Sequence, residues 1–461
     1  MNLLKTHLID SNQAPPTIPK PANALRILHT SDWHLGKLLY GQARYDEFAK
    51  FLDWLQDALL DYQVDVLIVA GDIFDTMTPS NRAEHLYHHF LATAFLHQIK
   101  HIVIVAGNHD SPTNLQKTKE VLGVLNTQVI GAIDDEPHEQ LITLADSDNQ
   151  PIAIVMAVPY LRDRDVRTSG DATSIEQKNQ LLLQGVADYY HSLANLAKQQ
   201  QEQISQTYQK TVPIIATGHL YAAGASVSSD DDGMRDIQVG TLGQINANIF
   251  DDAIDYVALG HIHAAQMVAK QNRIRYCGSP IAMGFGEIGR HKQVLLVDLP
   301  LDKKQIHDEN LPQNPPQIID NNTISDIAIH SLPVPIFHNL ARIVGDMDFI
   351  KASIHQLKSY EQTIWLEIEY QADTLIANLK QQITDLLDSS QLVAVSIKNK
   401  GVYQGSLKAH TPTVNLEHLD EMEIFYKRLA KENLNNNEEK LLIDAYQTLL
   451  KQMQETDANA Q

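Results

Sequence analysis

Residues 255–263 read DYVALGHIH: a short apolar run that ends at a glycine, followed by two histidines two apart. The run has the length and texture of a buried parallel strand. In an extended segment residues two apart project the same way, so His261 and His263 can face one site. A single pair is weak evidence in a chain with 21 histidines. Its meaning depends on whether other strand ends carry similar groups.

They do. Runs of the same texture are LRILHTS (25–31), VDVLIVAG (64–71), HIVIVAG (101–107), PIAIVMAVP (151–159) and VPIIATG (212–218). Helical patterns lie between some of them, such as YDEFAKFLDWLQDALL (45–60) and NRAEHLYHHFLATAFLHQIK (81–100), and residues 174–210 read as a long polar surface helix. Strands alternating with helices imply a layered α/β core. In such sheets ligands gather outside the carboxyl ends of the strands. The residues found there are Asp32 and His34, Asp72 and Asp75, Asn108, His109 and Asp110, His219, then His261 and His263. Glycine before four of these five groups lets the backbone turn tightly toward a common site.

Taken singly, each residue has an ordinary reading. An Asp after a strand caps the next helix, a lone histidine is a hydrogen-bonded structural residue, and Asn108 after a glycine is a turn. Five strand ends together are not explained that way, although a cap or turn competes for Asp75 alone. Carboxylate and amide oxygens mixed with imidazoles favour Mn²⁺, Fe²⁺ or Zn²⁺ over Mg²⁺, which prefers oxygen alone. Asp32, His34, Asp72, Asn108, His219, His261 and His263 are too many ligands for one ion and suit two ions sharing a carboxylate. Two Asp ligands offset half the charge of two divalent ions, a bridging hydroxide removes one more, and the remainder attracts an anionic phosphate.

Composition bounds the alternatives. With 461 residues and 43% hydrophobic content, the chain is long enough for two or three globular domains. No apolar run approaches the roughly 20 residues that span a bilayer. Residues 1–24 lack the continuous apolar core of a signal peptide and carry four prolines, so a flexible tail on a cytoplasmic protein is expected. Cys277 is the only cysteine, which excludes an intrachain disulfide and a Cys-rich zinc site. The balance of 36 basic to 57 acidic residues, net −21, argues against a protein that coats nucleic acid unaided. It is compatible with an enzyme whose positive charge resides in bound metal ions.

After KQVLLVDL (292–299) the texture changes: residues 301–335 are rich in Pro, Asn and Asp and read as a linker. A smaller strand–helix–strand unit follows, with TIWLEIEY (363–370), a helix near 374–388 and LVAVSIK (392–398). The charged C-terminal end places Leu442, Ala445, Tyr446, Leu449 and Met453 on one helical face, which docks a partner or packs on its own core. His85, His88 and His89 sit at helical ligand spacing but read as a polar helix face. GFGEIG (284–289) has the form G-x-G-x-x-G without joining a strand to a helix, so it implies no dinucleotide site. No Walker A motif is present, and any ATP dependence must come from a partner.

In this order Asp-x-His, Gly-Asp, Gly-Asn-His-Asp, Gly-His and Gly-His-x-His resemble the calcineurin-like metallophosphoesterase family. Over residues 25–300, RILHTSDWHLGK, AGDIFDT, AGNHDSP, VPYLRDRDV, GHIHAAQ and RYCGSPIAMGFGE resemble, more narrowly, its SbcD family of bacterial nuclease subunits. The resemblance implies two packed β-sheets flanked by helices, a smaller α/β capping domain over 336–408, and a helical partner-binding segment over 409–461. It implies one ion held by Asp32, His34, Asp72 and His263, and a second by Asp72, Asn108, His219 and His261. His109 would stand over the scissile phosphate, stabilising the transition state or protonating the leaving oxygen, with Asp75 orienting it through its carboxylate. Relatives from archaea and eukaryotes often carry His at the Asp75 position, which bears on that last role.

The activity implied is Mn²⁺-dependent hydrolysis of DNA phosphodiester bonds, as an ATP-dependent double-strand exonuclease and a single-strand or hairpin endonuclease, in replication, recombination and repair. The implied partners are DNA and an SbcC-like ATPase, two of each subunit, with no membrane. Arg162, Arg164 and Arg167 contact DNA on this reading, or pair with Asp163 and Asp165. The competing activity is that of a cyclic-nucleotide phosphodiesterase, which shares the metal motifs, and the competing class is a catalytically silent scaffold. Thr76 stands where protein phosphatases usually carry Arg, which disfavours that activity.

Overall fold

The six apolar runs form the strands Ala24–Thr30, Val66–Ala70, His101–Val105, Pro151–Met156, Ile214–His219 and Tyr256–Gly260. The computed structural model describes residues 2–10, 14–133, 137–166, 175–222, 245–302, 326–372, 376 and 378–399. One six-stranded sheet has the order Ala328–Pro333, Gln293–Pro300, Ala24–Thr30, Val66–Ala70, His101–Val105, Thr127–Ile130. From Ala24–Thr30 to Thr127–Ile130 the pairing is parallel; the other two strands are antiparallel. The second sheet runs Gln266–Val268, Gln271–Tyr276, Tyr256–Gly260, Ile214–His219, Pro151–Met156, Leu141–Ala145, with its four central strands parallel.

Alternation along each strand stacks the two sheets. Leu25, Ile27, Val66, Ile68, Val103 and Val105 share a core with Ala153, Val155, Ile215, Tyr256 and Ala258 of the second sheet. The intervening residues turn outward. Leu28, Leu67, Val69 and Ile104 meet the helices Tyr45–Asp61 and Asn81–Leu96, and Ile154, Ile214, Val257 and Leu259 meet the long helix Ile175–Tyr208. Both faces of each sheet are therefore buried, which is why the strands read as unbroken apolar runs. Trp33 is fully buried edge-on to Phe51 and Phe90, at 5.9 and 5.5 Å, and so seats both helices beneath the segment that carries Asp32 and His34.

The smaller domain, expected to cap the site, has a four-stranded sheet in the order Leu3–His7, Asn339–Gly345, Ile364–Tyr370, Leu392–Asn399, with helices Met347–Leu357 and Leu379–Leu387. Two expectations are corrected here. Residues 1–24 are not all a tail: Leu3–His7 pairs antiparallel with Asn339–Gly345, Leu3 opposite Val344. Farther along, the carbonyls of Ile18 and Pro19 accept from the buried Arg26 guanidinium, and that of Pro16 from Tyr62. Nor is 301–335 all linker, because Ala328–Pro333 is an edge strand of the first core sheet. Residues 303–325 and the expected C-terminal helices over 409–461 lie outside the described residues.

Candidate metal centre

The site is built first by backbone. Asp32, His34, Asp72 and His261 adopt φ of 54°, 48°, 52° and 98°, a left-handed region that non-glycine residues occupy rarely and that concentrates at functional sites. The first two strand ends interlock, since the Asp32 amide donates to the Gly71 carbonyl at 2.9 Å and the His34 amide to that of Asp72 at 3.0 Å. Two glycines are required by close approach: a Cβ on Gly107 would lie 2.1 Å from Asp72 Oδ1, and one on Gly260 would lie 1.9 Å from the Ala70 carbonyl.

On this frame the side chains from all five strand ends converge. His34 Nε2 faces His263 Nε2 at 3.1 Å and lies 3.6 Å from Asp72 Oδ2. His219 Nε2 is 3.3 Å from the same Asp72 oxygen and 3.0 Å from Asn108 Oδ1, which is also 3.0 Å from His261 Nδ1. Asp32 Oδ1 accepts the His261 amide at 2.9 Å, while its other oxygen takes the hydroxyl of Ser31. Donor atoms of Asp32, His34 and His263 all lie within 4.8 Å of one another, as do those of Asp32, Asp72 and His219, and of His34, Asp72 and His109.

His109 is half-buried beside these groups. Its amide donates to Asp72 Oδ1 at 2.9 Å and its Nδ1 donates to the main-chain carbonyl of Asp75 at 2.8 Å. The Asp75 carboxylate points elsewhere, 3.4 Å from His34 Nδ1 and 3.1 Å from Lys37 Nζ. Asp75 thus meets His109 through its backbone, whereas a carboxylate contact was expected.

The charges are mutually strained. Burial opposes ionisation of Asp72, yet His219, His34 and His109 hold its carboxyl well below the usual range. Burial likewise disfavours a proton on His219, but Asp72 and Asp32 outweigh it and raise the imidazole to about 9. Burial and the nearby His219 push His261 down to about 4. The facing Nε2 atoms of His34 and His263 set one lone pair against another unless a ring proton of one of them or a metal ion lies between. Buried carboxylates, an amide oxygen and crowded imidazole nitrogens are the donor set of a divalent-metal site, and the residues present fit one.

The chain is similar to known proteins over most of its length. A family model described as calcineurin-like phosphoesterase matches residues 25–265, more than half of the chain. The SbcD subunit of the SbcCD nuclease of Escherichia coli (strain K12) is 35% identical over 430 residues, 92% of this chain and 98% of that protein. The chain is a calcineurin-like phosphoesterase of the SbcD family. Proteins of the same name from Rhodobacter capsulatus and Bacillus subtilis are 34% and 33% identical, over 60% and 59% of this chain and 66% of each of theirs. A second model, described as a Type 5 capsule protein repressor C-terminal domain, matches residues 336–433.

Two residues of this SbcD-type site carry a role that the sequence reading did not assign. Asp110 is fully buried and accepts the amides of Ile73, Phe74 and Gly107 at 3.1, 2.9 and 2.8 Å, which joins the Asp72 and Asn108 loops. Its place in GNHD was the available signal. Glu287 stands 3.0 Å behind His263, and its place at the end of RYCGSPIAMGFGE was the available signal. Of the arginines, the Arg162 amide donates to Asp165, exposed Arg164 is 3.5 Å from the same carboxylate, and Arg167 lies outside the described residues. Tyr160, at the start of that segment, sets its ring edge-on to His219 at 6.3 Å. His85 and His89 stack on each other on an exposed helix face.

Proposed function

We propose that this chain is the nuclease subunit of an SbcCD-type complex and hydrolyses DNA phosphodiester bonds. The observation that carries the reading is the position of Asp72, whose Oδ2 stands between His34 and His219 and so joins two groups of donors. One group, Asp32, His34, Asp72 and His263, would hold one divalent cation; the other, Asp72, Asn108, His219 and His261, would hold a second, both most suitably Mn²⁺. When bound, such a pair supplies a hydroxide near neutral pH and neutralises the phosphate.

The protein's own contribution is placement. Asn108 spans His219 and His261 and keeps their ring nitrogens toward the same centre. His109 donates Nδ1–H to the Asp75 carbonyl, so that when the ring is doubly protonated its Nε2–H is the end that would pass a proton to the leaving oxygen, leaving a neutral imidazole. The cap would help select DNA, and the segment 409–461 would dock an SbcC-like ATPase in a two-plus-two assembly acting in replication, recombination and repair. A cytoplasmic location belongs to the same reading; among the described residues no helix is long and apolar enough to cross a membrane.

The test is cleavage of labelled linear and hairpin DNA with Mn²⁺ by wild type and Asp72→Asn, with a cyclic nucleotide assayed in parallel. The wild type should cut DNA and the variant should fall to near background. Hydrolysis of the cyclic nucleotide alone would keep the phosphoesterase chemistry and remove the nuclease reading.

A further inference from the structure

Behind His263 lies a buried polar group that the proposed reaction does not use. Glu287 is 0% exposed. Its Oε1 lies 3.0 Å from His263 Nδ1, and its Oε2 accepts the Met283 amide at 3.0 Å, the Ser279 hydroxyl at 3.4 Å and the Lys292 ammonium. Lys292, itself buried, also donates to Ser279 Oγ at 2.7 Å. The Ser279 amide returns to the His263 carbonyl at 3.2 Å, so the segment is fixed to both the side chain and the backbone of the same histidine.

Division of labour between the two carboxylate oxygens is the informative part. The single Ser279 hydroxyl proton is shared between Oε2 and the nearer Ile281 carbonyl at 3.1 Å. The Met283 amide and the Lys292 ammonium both donate to Oε2, which anchors Glu287 in one orientation. Oε1 is thereby left to accept only from His263. A histidine that gives its Nδ1 proton to a carboxylate turns an unprotonated Nε2 the other way, and here the other way is toward His34 and Asp32. We infer that Glu287, locked by Lys292, Ser279 and the Met283 amide, is a positioning residue that fixes the tautomer and aim of His263 for metal binding. The inference rests on the metal-centre reading above. Partners of this kind typically contribute 10–100-fold, in rough terms, to metal affinity.

Glu287→Gln isolates the effect. The amide oxygen can take the Oε2 position and keep the Met283 and Lys292 bonds. The amide NH₂ then faces His263 Nδ1, demands an acceptor there and moves the ring proton to Nε2, where it blocks the ligand lone pair. Mn²⁺ titration followed by EPR is expected to show two equivalents bound by the wild type, and one of them weakened about 10–100-fold in Glu287→Gln, a variant that should also melt lower because the buried Lys292 loses its counter-charge. Long-range ¹H–¹⁵N spectra of the metal-free wild type should place the His263 proton on Nδ1, a signature that a merely structural glutamate would not set.

Equal affinity of both equivalents in a folded Glu287→Gln, or a His263 proton on Nε2 in the wild type, would overturn the inference. If the variant does not fold, the wild-type spectrum decides alone. A wild type that binds no Mn²⁺ would instead remove the metal-centre reading, and the inference with it.

Discussion

Tyr40 donates its hydroxyl to Glu367 Oε1 at 2.7 Å, and the segment that begins at His34 is thereby tied to the cap. Lys398 reaches both partners, at 2.8 and 2.6 Å, and Arg342 lies 2.8 Å from the other Glu367 oxygen. Beneath this cluster, Leu39 and Phe285 of the core pack with Leu340 of the cap. Both core segments lead to the site, one from His34 and one through Glu287. Loss of the hydroxyl in Tyr40→Phe should lower stability by about 0.5–1.5 kcal/mol. Glu367→Gln should lower it further, though by less than the roughly 3–5 kcal/mol of a fully buried broken pair, because Lys398 is about one-third exposed. Urea unfolding measures both. Equal stability of all three proteins would mean that apolar packing alone seats the cap.

The core was readable because its physics is local. A strand buried on both faces must be continuously apolar, and a ligand at its end must be a residue that binds cations, so 255–263 carried both facts in nine letters. The cap edge was not readable: Leu3–His7 is short, and its partner Asn339–Gly345 lies more than 300 residues away, so nothing local marks it as a strand. Asp75 was misassigned in detail because sequence names a side chain, whereas His109 takes the backbone carbonyl of that residue. The role of Glu287 was not readable for a related reason. Its importance comes from a fold that places it behind His263, and 24 residues separate the two.

Acid should loosen the lower edge of the first sheet through Asp65. Burial of this carboxyl raises its proton affinity, but Lys100, Lys20 and the Arg26 amide outweigh burial and hold it below the usual range. A depressed folded-state value stabilises the fold above the unfolded value, about 3.9, and that contribution is lost as pH falls through the folded value. Asp65→Asn should therefore cost about 1.5–3 kcal/mol at pH 7. The gap to wild type should narrow below about pH 4. Urea unfolding at pH 7, 5 and 3 checks this, and a gap that widened in acid would contradict it.

Asp110→Asn should damage the site without touching a proposed ligand. One amide group cannot accept all of the Ile73, Phe74 and Gly107 amides, because its NH₂ must face at least one of them. An unsatisfied buried pairing of this kind costs about 1–3 kcal/mol. Its two loops carry Asp72 and Asn108, so Mn²⁺ binding should weaken together with stability. A variant that loses stability but keeps full Mn²⁺ affinity would show that the loops hold their geometry without Asp110.

Asp75 and His109 are separated by a comparison of two variants. Since the His109 ring is oriented by the Asp75 carbonyl at 2.8 Å, Asp75→Ala keeps that acceptor. What it removes is the carboxylate next to His34 and Lys37, at 3.4 and 3.1 Å. At saturating Mn²⁺ the DNA cleavage rate of Asp75→Ala should then fall by less than about tenfold, while His109→Gln, which removes a proton donor, should lose about 10²–10⁴-fold. Equal losses in the two variants would place the Asp75 carboxylate in the proton-transfer machinery after all.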